Sequence, residues 1–102
     1  MGAIDFYTPA TGPDLTTAFN AARSHHRWEY GHSGFTGTVA EKDTVVLIDE
    51  PRRSEQEATA RAEQLVHADD PRISCKWGPA GALPITTDSG ERGWLLFGTA
   101  PH

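Results

Sequence analysis

The sequence predicts an α+β fold: a split β-α-β-β-α-β sandwich of the ferredoxin-like kind, with an added C-terminal β-hairpin, in a single domain over residues 1–102. Three observations predict it. Two stretches carry apolar residues at helical spacing, strand-like runs lie before, between and after them, and 102 residues is an ordinary size for one domain. The core is thin, since Leu, Ile, Val and Phe together number 18. A share that low signals disorder only when the net charge is high. Here the formal charge is −5, with three Trp and two Tyr spread among the periodic segments. Thin cores of this size are often completed by a subunit partner, a ligand or a metal.

The first strand is expected at Ile4-Asp5-Phe6-Tyr7-Thr8, closed by a loop from Pro9 to Pro13. Pro13 then suits the first turn of a helix. Leu15, Ala18, Phe19 and Ala22 follow at i, i+3, i+4 and i+7, and the same face continues through His26 to Tyr30, where Gly31 suits a C-terminal cap. Phe35 to Lys42 alternates as a strand, with Phe35, Gly37, Val39 and Glu41 on one face and Thr36, Thr38, Ala40 and Lys42 on the other. A turn at Lys42-Asp43 leads into Thr44-Val45-Val46-Leu47-Ile48, the most strand-like run, so the two form a hairpin. Ser54 to Glu57 has the form of a capping box, opening a helix through Ala58, Ala62, Leu65 and Val66 that stops before Pro71. Ile73 to Trp77 reads as a fourth strand, and residues 82–87 and 93–99 as a closing hairpin around Asp88-Ser89-Gly90.

Composition excludes several classes. The longest apolar run, Trp94 to Phe97, is far below the roughly 20 residues of a membrane span. The N-terminus lacks the basic and apolar regions of a signal peptide, so a cytoplasmic setting is expected. The single cysteine, Cys75, excludes an internal disulfide and reads as a small core residue. With 9 basic against 14 acidic residues, a broad face for extended nucleic acid is not expected.

The chemistry concentrates between His25 and Lys42. Glycines 31, 34 and 37 stand among Tyr30, Ser33, Thr36 and Thr38, and backbone N–H groups with hydroxyls suit an anion such as phosphate. Lys42 adds positive charge, while Lys76 and Trp77 offer a second wall on which a base or sugar can stack. The spacing fits neither a P-loop nor a dinucleotide fingerprint, and no cofactor is implied. His32, with Glu41 orienting it, has the residue types of a general acid/base pair. His25, Glu29 and His32, spaced H-x3-E-x2-H, are residue types that can ligate zinc, but no known metal signature has this order; the plainer reading is a surface ion pair one helical turn long, and no metal site is assigned. Arg52 and Arg53, just before the second helix, read as solvated arginines.

The stretch Tyr30 to Lys42, ending in Ala-Glu-Lys, resembles a glycine- and threonine-rich motif of small uncharacterised bacteriophage proteins. Lys76-Trp77-Gly78-Pro79-Ala80-Gly81 and Leu96-Phe97-Gly98 resemble their later segments. The resemblance implies a phage or prophage origin and action in the bacterial cytoplasm, and brings no activity with it. The reading that follows is an accessory protein that binds a nucleotide-like small molecule, to counter a host defence signal, as a homo-oligomer. The alternatives are a small hydrolase or transferase on a phosphate-containing substrate, using His32 and Glu41, and a protein-binding inhibitor.

Overall fold

The computed structural model describes residues 2–30 and 34–102. In chain order the elements are β1 (Ala3–Thr11), α1 (Leu15–Tyr30), a 3-10 turn (Val39–Glu41), β2 (Val45–Leu47), β3 (Arg53–Ser54), α2 (Glu55–His67), β4 (Ala80–Thr86) and β5 (Arg92–Pro101). They form an α+β fold of two helices and a five-stranded mixed sheet. The strand order is β1-β5-β4-β2, with β3 further along the edge of β4 that β2 occupies. β5 is antiparallel to both β1 and β4, and β2 and β3 are parallel to β4. Four strands therefore point one way and β5 runs against them.

Strand parity places the helices. Phe6, Ala80, Ala82, Leu96 and Ala100 cluster with Phe19 of α1. Leu83, Ile85, Leu95 and Phe97 cluster instead with Ala58, Ala62 and Leu65 of α2. Successive strand residues face opposite sides, so each helix covers its own face. The expected ferredoxin-like arrangement, with both helices on one face, is not formed. The closing hairpin is present as β4–β5, with the Thr87 N–H donating to the Glu91 carbonyl at 2.8 Å. It is the centre of the sheet and not an addition to its edge.

Two expected strands are absent for local reasons. In residues 35–42, Gly37 takes a φ of 68°. A Cβ there would lie 3.1 Å from His102 Cδ2 and 3.2 Å from Ile4 Cδ1. Its N–H donates to the Pro101 carbonyl at 2.9 Å, so the chain turns sharply over the end of the β1–β5 pair. Thr38 then caps the 3-10 turn by accepting from the Ala40 N–H at 3.2 Å. Val39 and Ala40 are consecutive and both buried, which one turn of helix permits and a half-exposed pleated strand does not. In residues 73–77 only Ile73 is buried, while Cys75 and Trp77 are exposed. The segment is a pair of turns, with Ile73 N–H on the Asp70 carbonyl and Gly78 N–H on the Cys75 carbonyl. Cys75 is thus not a core residue.

Other elements follow their signals more closely. Asp14 caps α1 by accepting from the Thr17 N–H at 2.8 Å, and Ser54 with Glu57 closes the capping box of α2. β1 runs on through Pro9 to Thr11, beyond the expected strand end. It is an edge strand, where a missing N–H is tolerated. Between β2 and β3, Glu50 accepts from Arg53 Nη1, Arg61 Nε and Arg61 Nη2, each at 2.9 Å. These guanidinium groups, Arg61 foremost, hold the Glu50 carboxyl below its usual range and tie this edge to α2.

The central hairpin has no slack. A Cβ at Gly81 would stand 2.7 Å from Phe97 Cζ and 2.9 Å from Ile73 Cγ2, and both side chains are fully buried. Gly81→Ala is expected to destabilise the fold by about 1–3 kcal/mol through overpacking. Urea denaturation checks this, and an unchanged midpoint would show that the face under α2 is packed loosely.

Candidate functional site

The segments 34–42 and 73–79, far apart in sequence, meet at one end of the sheet. Lys42 joins them. Its side chain is 1% exposed, and its Nζ donates to the carbonyls of Cys75 at 3.3 Å and Lys76 at 3.1 Å. Burial pushes the Lys42 ammonium below its ordinary value of 10.5. Desolvating an ammonium costs several kcal/mol, and here the Cys75 and Lys76 carbonyls offset part of it. The result is a fixed turn that holds Lys76 and Trp77 at the surface.

Trp77 is 59% exposed and Phe35 42% exposed. Their rings meet edge to face, with centroids 5.4 Å apart. Lys76 Nζ lies 5.6 Å from the centre of the Trp77 ring. Aromatic surface of this kind next to a cation suits a flat, negatively charged ligand. Lysine and indole therefore share one turn, where the sequence pattern had suggested a strand.

Thr36, Thr38 and Glu41 are also brought together, but mainly by bonding one another. Glu41 Oε2 accepts from the Thr36 N–H at 3.0 Å and the Thr36 hydroxyl at 2.8 Å. The Thr36 and Thr38 hydroxyls are 2.8 Å apart. This carboxylate already takes both donors of Thr36, which were expected to meet an anion. Lys42 does not join the group, because its stem turns inward from the 3-10 turn. A cavity of about 220 Å³ opens beside the network, walled by Arg27, Gly34, Thr36, Ala40 and Glu41. His32, Ser33 and the side chain of Tyr30 lie outside the described residues.

Two residues near this site were not singled out from sequence. Arg27 donates from Nη2 to the Ala40 carbonyl at 2.9 Å, fastening α1 to the 3-10 turn. Phe35, which alternation alone puts on a strand face, pairs instead with Trp77. Its signal was position alone: an aromatic residue next to a glycine in a polar loop. His25 and Glu29 form the expected surface pair, with Nε2 3.0 Å from Oε1. Among the described residues no group of three His, Cys, Asp or Glu side chains could hold a metal ion. No helix of the described residues is long and apolar enough to cross a membrane.

Comparison with protein-family models, with curated proteins and with solved structures gave no match to this chain.

The geometry makes Glu41 a structural residue of the loop. Glu41→Ala leaves the Thr36 N–H without its acceptor, and a loss of about 1–3 kcal/mol is expected in chemical denaturation. No change in the midpoint would return Glu41 to a role at the surface. Lys42 carries a pH signature as well. Its proton is held less tightly in the folded than in the unfolded chain, so stability rises with pH between the depressed value and 10.5. The wild type should therefore gain stability relative to Lys42→Met as the pH is raised through that window. A difference that stays flat would mean that the ammonium is hydrated.

Proposed function

We propose that the protein binds a nucleotide-like small molecule and holds it without converting it. The observation that carries this reading is the exposed Phe35–Trp77 pair with Lys76 beside it, on a turn fixed from within by Lys42. A planar base stacks on the indole, and the ammonium faces the phosphate. Preorganisation of this kind lowers the ordering cost of binding. The internal bonding of Thr36 and Glu41 supports holding over turnover, because the carboxylate is engaged by two donors from one residue. The ligand proposed is a host signalling nucleotide, sequestered from its receptor; the resemblance to bacteriophage proteins implies the bacterial setting and no activity.

Titration with a panel of nucleotides and cyclic nucleotides tests this, read at the three tryptophan indole N–H signals by NMR. The Trp77 signal should move, and that of Trp28, which is 79% exposed on α1, should not. Stacking contributes about 1–3 kcal/mol per base, so Trp77→Ala should weaken binding about tenfold or more while Trp28→Ala leaves it unchanged. A panel that never moves the Trp77 signal overturns the reading. A panel returned chemically altered replaces it with the hydrolase or transferase that His32 and Glu41 suggested.

A further inference from the structure

The opposite end of the sheet holds a cavity that none of the residues of the Phe35–Trp77 site enters. It measures about 260 Å³ and is lined by Gly12, Pro13, Arg52, Arg92 and Trp94. Its place follows from the strand directions. β1, β3 and β4 are parallel, and Thr11, Ile85 and Gly93 stand in one row across the sheet. The cavity therefore lies just outside the carboxyl ends of the parallel strands, the crevice in which open sheets of this kind bind ligands.

The charges there are unbalanced. Arg52, read from sequence as solvated, donates from Nη1 to the carbonyl of Ile85 and, at 3.0 Å, to that of Gly93. One nitrogen thus clamps the guanidinium across the ends of β4 and β5. Its other nitrogens, and all those of Arg92, have no hydrogen-bond or ion-pair partner among the described residues. Arg23, Arg53, Arg61 and Arg72 each have a carboxylate partner. Two arginines that share a cavity without an acid, in a chain of net charge −5, leave an anion to be supplied from outside. Neither helix end supplies the attraction, since Asp14 already fills the start of α1 and the capping box fills that of α2.

We infer that this cavity binds a small organic phosphate, its phosphoryl oxygens between Arg52 and Arg92 and its ring against Trp94. A carboxylate is satisfied by one guanidinium in a fork, whereas a phosphate monoester has the charge and the oxygens to engage two. The half-buried indole of Trp94 gives a flat apolar wall for the body of the ligand. The site is separate from the Phe35–Trp77 surface, and neither proposal rests on the other.

Phenyl phosphate, inorganic phosphate and benzoate are the probes, each titrated into the full chain and followed at the Trp94 and Trp77 indole N–H signals. Phenyl phosphate should move the Trp94 signal, bind more tightly than the other two, and weaken as salt is added. Arg92→Gln, at an exposed position outside the core, should weaken it about tenfold or more. Trp77→Ala should leave it unchanged. Arg52→Gln is the harsher variant because it also frees the Ile85 and Gly93 carbonyls, so Arg92→Gln decides. No movement at Trp94 with millimolar phenyl phosphate, or an Arg92→Gln protein that binds it as well as the wild type, overturns the inference. Equal binding of inorganic phosphate overturns the role of Trp94, and equal binding of benzoate overturns the assignment to phosphate.

Discussion

Burial of both faces of the β4–β5 hairpin is the constraint from which the rest of the structure follows. Each residue of Ala80 to Leu83 and of Leu95 to Gly98 is buried, and alternate ones look toward different helices. A thin apolar inventory can cover two faces only if each helix comes close. Alanine and glycine at the contacts permit that: Ala80 and Ala82 under α1, Ala58 and Ala62 of α2 above Leu83 and Phe97. Close approach leaves the large exposed aromatics, Trp28, Phe35 and Trp77, outside the core altogether. With the apolar interior committed to the hairpin, chemistry is pushed to the two ends of the sheet.

Those ends are built differently. At one, two irregular segments are fastened by polar groups turned inward: the Lys42 ammonium on carbonyls, the Glu41 carboxylate on Thr36, and Arg27 on Ala40. Polar side chains here replace the backbone ladder that a strand would have provided. At the other end the strands stop in register, and an arginine side chain spans their last carbonyls. The first arrangement shapes a loop, and the second shapes a rim. A cation engaged with carbonyls is central to both, because strand ends and turns present more acceptors than donors.

Much of the architecture was legible in the sequence. The apolar spacing from Leu15 to Ala22, the Ser54–Glu57 box and the turn at Asp88-Ser89-Gly90 each specify an element by local physics, and all three are present. Sequence pattern and structure part where local pattern and tertiary setting diverge. Phe35 to Lys42 alternates on paper, but Gly37 at positive φ and the consecutive burial of Val39 and Ala40 make a turn. Cys75 and Trp77 share a parity with Ile73 that no sheet enforces. The continuous apolar runs of β4 and β5 did contain the missing information. Strands without alternation are covered on both sides, and that excludes two helices on one face. The site was legible as neighbourhoods: residues 35–42 and 76–77 do meet. The Arg52–Arg92 cavity was not, because its walls come from three separated segments and Arg52 is anchored by carbonyls that carry no sequence signature.

One pairing has a bearing on how the chain reaches this state. Among the described residues β1 pairs in the sheet with β5 alone, over the full register from Ala3–Pro101 to Thr11–Gly93, and the Asp5–Thr99 contact closes a separation of 94 residues. On a ribosome, β1 emerges long before any partner exists for it. It must stay unpaired while α1, β2 and α2 are made, with its loop-closure entropy still to be met when β5 appears. Assembly of the sheet thus waits on the β4–β5 hairpin, onto which β1 docks after α1, β2 and α2 have been made.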